Sequence, residues 1–306
     1  MWLDEHFGLK YPVLQGGMAY VATAEFAAAV SEAGALGQVG SGSMSAGMVR
    51  DAIRRVRELT DRPFGVNIML MNPEAEEIAR ILAEEKVPLI TTGAGSPGRY
   101  IAMWKEAGST VIPVVSSLSL AERMVRQGAD AVIAEGQEAG GHVGELTSMV
   151  LWPLIADQLD APVIAAGGIA GARQVRAALA LGAQGLQLGT LFLATEECPI
   201  HPVYKEALLK ATDTQVSVMG RWGGIPCRVL KNKLYRDYLL KERQGAGKEE
   251  LEAMLSGSLR HAVVDGDRNR GAFMMGLAAA QIHEVKPLVQ LLADLFEGVS
   301  YEDERK

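Results

Sequence analysis

Ala131-Val-Ile-Ala-Glu-Gly-Gln-Glu-Ala-Gly-Gly-His-Val-Gly144 reads as a strand that stops in a loop. Val132 and Ile133 suit a buried strand, and Gly136, Gly140, Gly141 and Gly144 suit a tight loop at its end. That loop gathers backbone N–H groups, two carboxylates and one imidazole. His142 can change charge near neutral pH, which makes it a candidate proton donor or acceptor. The same residues also read as a glycine-rich turn with an exposed histidine. The surrounding sequence has to separate the two readings.

The unit recurs along the chain. Short apolar, β-rich runs lie at 13–15, 36–39, 64–67, 89–92, 111–115, 131–134, 163–166 and 185–188. Each is followed by glycine or polar loop residues and then by helix-like sequence. Amphipathic stretches occupy 23–33, 45–59, 74–85 and 118–127. In the second of these, Val49, Ala52, Ile53 and Val56 mark one helix face, with basic residues mostly on the other. Thr23 and Ser45 stand where N-caps are expected. Eight strand–helix units predict an α/β fold, a (β/α)8 TIM barrel. A doubly wound open sheet is the competing architecture. No G-x-G-x-x-G follows the first strand, however, and functional-looking loops recur after many strands instead of near one switch point.

The pattern breaks after Leu193. Residues 201–266 hold helix-like pieces at 203–211 and 248–255 but no further strand-then-glycine unit. Gly220-Arg-Trp-Gly-Gly-Ile-Pro226 is a turn-rich connector. An apolar segment at 273–282 then leads into 287–296. We read residues 1–200 as the barrel, 201–270 as a small inserted helical cap, and 271–306 as C-terminal helices returning to the barrel. One extended C-terminal helical tail is the alternative.

Composition narrows the function classes. A length of 306 residues accommodates one large domain with a smaller one. A net charge of −7 argues against a general nucleic-acid binder. Cys198 and Cys227 have neither metal-ligand spacing nor a disulfide framework around them, which fits a reducing cytoplasm. No basic-flanked apolar segment opens the sequence and no run of about 18 apolar residues interrupts it, so neither an export signal nor a membrane span is expected.

In a barrel the active site lies at the C-terminal ends of the strands. Those ends read Gln15-Gly-Gly-Met18, Gly40-Ser-Gly42, Asn67, Thr91-Thr-Gly-Ala-Gly95, Glu135 with His142, Gly167-Gly-Ile169 and Gly189-Thr190. The last two are where a barrel builds a phosphate site from glycine amides and a helix N-terminus. Neutral amide and hydroxyl groups around the mouth suit a phosphorylated cofactor, and flavin mononucleotide (FMN) is the natural candidate. Asn67 and Gln15 are placed to hydrogen-bond an isoalloxazine edge, and Met18 to pack on its face. No His/Asp/Glu cluster has metal-ligand spacing, so no catalytic metal is expected. Lysine is missing from all eight strand ends, which argues against a Schiff-base aldolase.

These residues resemble a known family. Gln15-Gly-Gly-Met-Ala19, Phe64-Gly-Val-Asn-Ile-Met69, Thr91-Thr-Gly-Ala-Gly95, Val132-Ile-Ala-Glu-Gly136, Glu138-Ala-Gly-Gly-His142 and Ala165-Ala-Gly-Gly-Ile169 are similar to the FMN-dependent enoyl-acyl carrier protein reductase II family. That family is a sibling of the nitronate monooxygenases (2-nitropropane dioxygenases). Pro202-Val-Tyr-Lys205, Arg228-Val-Leu-Lys-Asn232 and Val263-Val-Asp-Gly-Asp267 lean toward the reductase. The resemblance implies a flavin-binding barrel with a small cap, usually dimeric. It implies reduction of a trans-2-enoyl thioester on acyl carrier protein, with hydride from NADH or NADPH carried by FMN. It implies cofactor contacts at Gly16, Gly17, Met18, Asn67, Thr92, Glu135, Gly140, Gly141, Gly167, Gly168, Ile169, Gly189 and Thr190. His142 then stands near the proton transfer to the α-carbon, and Gly140 and Gly141 near the thioester carbonyl. Glu135 is expected to orient the loop or the ribityl chain, or to be structural.

The sequence departs from the family pattern at Tyr20 (commonly Trp), Gly171 (Asp), Leu191 (Arg), Ile225 (a Gly-His pair) and Leu277 (Gln). From Arg221 to Arg243, seven basic residues face two acidic ones. This excess suits an acidic acyl carrier protein, the phosphates of a dinucleotide, or an ordinary solvated helix face. Two rival functions stay open: a nitronate monooxygenase with His142 as base, and a non-catalytic FMN- or phosphate-binding barrel.

Overall fold

A computed structural model describes residues 1–223 and 226–300. The barrel strands are β1 (Val13–Gln15), β2 (Gly37–Gly40), β3 (Phe64–Met69), β4 (Leu89–Gly93), β5 (Thr110–Val115), β6 (Val132–Glu135), β8 (Val163–Ala166) and β9 (Leu186–Leu188); β7 (Gly141–His142) stands apart. The barrel strands pair in parallel in the order β1-β9-β8-β6-β5-β4-β3-β2. A parallel bridge between Leu14 and Leu36 joins the two ends and closes the ring. The predicted (β/α)8 barrel is therefore the observed fold.

Strand alternation explains where the core sits. Leu14, Leu36, Leu89, Ile112, Ile133 and Ile164 pack with Leu3 into one buried cluster. Burying each such side chain is worth roughly 1.5–3 kcal/mol. Leu3 comes from a short helix, Trp2–Phe7, that the sequence reading left unassigned. Other strand residues face the helix layer. Ala24–Glu32 and Ala46–Leu59 begin at the expected caps: Thr23 accepts from the Phe26 amide and Ser45 from the Met48 amide. Gly37 allows the first of these helices to sit directly on β2, because a Cβ there would stand 1.8 Å from the Ala27 carbonyl oxygen.

The segment after the barrel differs from the expected helical cap. It does hold helices Pro202–Leu209, Lys233–Arg243, Lys248–Leu255 and Ser258–Val263. It also holds two strands, β10 (Val216–Met219) and β11 (Cys227–Leu230), which form an antiparallel hairpin. β11 pairs on its other edge with β7, so the loop carrying His142 becomes the third strand of the cap sheet. Four-residue strands without a glycine loop and helix behind them carry none of the βα signal. Residues 273–276 run extended into a short 3-10 turn, Leu277–Gln281, and the one α-helix described after them is Leu288–Leu295. Ile225, singled out as a departure, lies outside the described residues. Among the described residues no helix is long and apolar enough to cross a membrane.

Candidate active site

The C-terminal ends of the barrel strands surround a cavity of about 690 Å3. It brings together Gly16, Gly17 and Met18 after β1, Asn67 on β3, Glu135 at the end of β6, and Gly140, Gly141 and His142. Gly167, Gly168 and Ile169 after β8, with Gly189 and Thr190 after β9, complete it. Thr92 is not brought there. It is buried, its hydroxyl has no hydrogen-bond partner among the described residues, and it does not line the cavity. Successive strand residues face opposite sides, so its neighbour Thr91 is the one that reaches Asn67, at 2.8 Å. Neither threonine of the pair lines the cavity, and Thr91 is connected to it only through Asn67.

One end of the cavity is built to hold an anion. Gly167 and Gly168 take φ of +95° and +77°, a turn that glycine adopts without strain. A Cβ on Gly167 would stand 3.0 Å from the Gly136 carbonyl oxygen. The amides of Gly167, Gly168, Ile169, Gly189 and Thr190 find no acceptor among the described residues. Helix Ala172–Ala180 starts directly behind the first group. Unpaired amides at a helix N-terminus attract negative charge.

The returning segment completes the wall. The Gly276 amide donates to the Thr190 hydroxyl at 2.8 Å, and the Leu277 amide to the Glu138 carbonyl at 2.9 Å. Gly140 and Gly276 meet backbone to backbone, since a Cβ on Gly140 would lie 2.6 Å from the Met275 carbonyl carbon. Tyr204 donates its hydroxyl to the Met274 carbonyl at 2.6 Å. Leu193, Tyr204, Leu259 and Met274 give this side of the cavity an apolar lining.

Glu135 and His142 both line the cavity. Glu135 has no hydrogen-bonding side-chain partner among the described residues, and burial pushes its carboxyl up to about 7. His142 stands exposed at the rim, yet the protein around its ring desolvates it enough to lower its pKa below the ordinary 6.5. Its strand is held in register by β11, with Cys227 opposite His142 and Arg228 opposite Gly141. The buried Arg228 guanidinium donates twice to the Gln137 carbonyl, at 3.1 and 2.7 Å. Glu138 accepts from the Ser148 amide at 2.9 Å and hydroxyl at 2.8 Å, tying the other side of the loop to helix Ser148–Gln158.

Sequence reasoning missed Gln187, Glu138 and Arg228. Gln187 lines the cavity, is 7% exposed, and leaves Oε1 without a partner. Its signal was a polar residue between two leucines of a buried strand. Part of the basic excess is engaged in exposed ion pairs: Arg221 with Glu145 of the site loop, Lys233 with Asp237 and Lys241 with Glu250. Both cysteines are buried and free.

Comparison with known proteins places these observations. The sequence pattern of the nitronate monooxygenase family matches residues 2–85 and 75–298. The solved structure of FabK from Thermotoga maritima is 48% identical with a TM-score of 0.94, covering 96% of this chain and 94% of that one. The (3aS,4S,5R,7aS)-5-hydroxy-7a-methyl-1-oxo-octahydro-1H-indene-4-carboxyl-CoA dehydrogenase of Rhodococcus jostii is 37% identical over 232 residues, 76% of this chain and 66% of its own length. Nitronate monooxygenase of Paraburkholderia phytofirmans is 34% identical over 266 residues, 70% of this chain and 73% of its own length. The chain belongs to the nitronate monooxygenase family and is an oxidoreductase by family and fold.

Proposed function

We propose that this member of the family is an FMN-dependent enoyl-thioester reductase, which reduces trans-2-enoyl-acyl carrier protein with NADH or NADPH. The observation that carries the reading is one cavity lined by an amide cradle, by His142 and by an apolar wall. The likeness to FabK over nearly the whole of both chains supports it.

The residues present fit FMN. Five unpartnered amides suit its phosphate, and the orphaned Gln187 oxygen suits a hydroxyl or N–H of the cofactor. Gly16, Gly17, Met18, Asn67 and Glu135 are the groups placed to hold the remainder. Bound FMN supplies a two-electron carrier between a nicotinamide and the enoyl β-carbon. The protein's own part is to bind, orient and move a proton. Leu193, Leu259 and Met274 accept the acyl chain. Gly140 and Gly141 bring backbone dipoles to the thioester carbonyl, where enolate charge develops. His142 delivers a proton to the α-carbon. Acyl carrier protein as the bearer of the substrate, and a homodimer as the working form, belong to the same proposal; light scattering tests the latter.

A second reading is oxidation of alkyl nitronates, favoured by the family match; the desolvation that keeps His142 neutral leaves it free to take the α-proton of the parent nitroalkane. Anaerobic stopped-flow absorbance in the flavin band separates the two. Bleaching by NADH or NADPH, then rapid reoxidation by crotonyl thioester, is expected. A flavin bleached by a nitronate but not by either nicotinamide would instead identify a nitronate oxidiser.

A further inference from the structure

Three uncharged side chains connect the barrel wall to the cavity. Asn67 Nδ2 donates to Thr91 Oγ1 at 2.8 Å, and Thr91 Oγ1 donates to Gln38 Oε1 at 2.7 Å. Gln38 Nε2 donates to the backbone carbonyl of Gln15, and the Gln38 amide donates to Gln15 Oε1 at 3.3 Å. Gln38 and Thr91 are completely buried.

The direction of every link is set at the far end. A backbone carbonyl only accepts, so Gln38 must turn its NH2 group to Gln15 and its oxygen to Thr91. A hydroxyl has one hydrogen, and Thr91 commits it to Gln38. Thr91 can then only accept from Asn67, which must present Nδ2 to it and is left with Oδ1. The reversed amide would set two oxygens against each other. Asn67 also cannot swing aside freely. Gly17 lies flat against it, and a Cβ there would stand 2.2 Å from Asn67 Cγ. Asn67 and Gly17 both line the cavity, and no donor meets Asn67 Oδ1 among the described residues.

We propose that Gln38 and Thr91 are positioning residues that fix Asn67 as a hydrogen-bond acceptor in the cavity, and that this acceptor receives N3–H of the bound flavin. N3–H is the one N–H on the oxidised isoalloxazine ring. A ring carbonyl or an unprotonated ring nitrogen in the same place would meet oxygen with a lone pair. The proposal rests on the FMN reading above and adds the direction in which one edge of the ring is read.

The test uses FMN and 3-methyl-FMN, in which a methyl group replaces that hydrogen. Each is titrated into the full-length protein freed of flavin, and Kd is read from flavin fluorescence. Wild type is expected to prefer FMN by about tenfold or more, the scale of one buried hydrogen bond. Thr91→Val is expected to weaken FMN by about tenfold and to draw the ratio of the two Kd values toward one; Thr91→Ser restores both. A purely steric clash with the methyl group would persist in Thr91→Val, so the ratio is the decisive readout. An equal loss for both flavins would reduce Thr91 to a packing role and overturn the relay. Equal binding of the two flavins by wild type overturns it however the variants fold. Binding of neither removes the FMN reading itself, and the proposed ligand of Asn67 with it.

Discussion

His142 distinguishes the two candidate reactions through the sign of its pH dependence. Desolvation lowers its pKa below 6.5, so the free protein carries a neutral imidazole at neutral pH. Taking the α-proton from a neutral nitroalkane to make the nitronate needs that neutral base, so kcat/KM with a nitroalkane rises with pH through the lowered pKa. An enoyl reductase that draws its proton from the imidazolium shows the opposite limb, falling as pH rises through the same region. His142→Ala is expected to keep FMN and lose about a hundredfold or more in turnover; wild-type rates would remove the residue from the chemistry. Glu135 affects stability as well. Its carboxyl ionises near 4.5 in the unfolded chain and near 7 in the folded, cofactor-free protein. Between those values folding takes up a proton, so stability drains away as pH rises through that window. Glu135→Gln removes the penalty. Without flavin it should gain up to about 3 kcal/mol over wild type at pH 7 and above, and little at pH 4.5. Parallel denaturation curves at both pH values check this, and an equal difference at the two would assign the gain to something other than titration.

At the scale of the element, the turn after β8 makes the anion site and the turn after β9 assists it. Gly167→Ala forces a positive φ of +95° on a residue with a side chain and brings its Cβ to 3.0 Å from the Gly136 oxygen. Such strain costs about 1–2 kcal/mol, and the amides it displaces are those aimed at the phosphate. We expect FMN affinity to fall by tenfold or more (about 1.4 kcal/mol), with a Tm lower by only a few degrees. Gly189→Ala is the control: its φ is −115° and its Cβ would meet nothing closer than Met18 Sδ at 3.6 Å. Flavin titrations in which both variants lose affinity alike would sink the assignment of the cradle to Gly167–Ile169. These turns were legible in the sequence because glycine after a β-rich run has few other uses, and the N-caps Thr23 and Ser45 were legible for a similar reason. The hairpin was not. Val-Ser-Val-Met and Cys-Arg-Val-Leu are short runs whose partner is each other and the distant Gly141–His142, a pairing no local pattern encodes. Thr92 was not legible as lying outside the cavity lining, because the alternation that sends Thr91 to Asn67 and Thr92 to the opposite face depends on register. Arg228 looked like surface charge until its carbonyl partner, 91 positions earlier in the sequence, was in place.

Across the whole molecule, the chain leaves the barrel after Ala194, builds the cap, and comes back to the cavity wall at Met274 and Gly276. That path ties the parts together. Phe273 and Met275 are buried in the same apolar cluster as barrel residues Leu188 and Phe192. Met274 bridges to Val229 of the cap hairpin, Gly276 bonds Thr190, and Arg228 bonds Gln137 of the site loop. Loosening the cap therefore uncovers the barrel core, and loosening the barrel rim frees the third strand of the cap sheet. The segments 1–200, 201–270 and 271–300 are expected to unfold together as one transition, although a chain of 306 residues has room for several. Scanning calorimetry should give a calorimetric enthalpy equal to the van't Hoff value. FMN at a hundred times its Kd should move the entire transition, since binding at that excess adds about 2.7 kcal/mol. Arg228→Met should lower the same single transition without splitting it, because the barrel contacts of Phe273 and Met275 survive. A second peak that stays in place when FMN is added would show instead that the cap melts on its own. The His142 strand would then be held by the barrel alone, and the cap's influence on catalysis would have to act through substrate access instead of through the geometry of the loop.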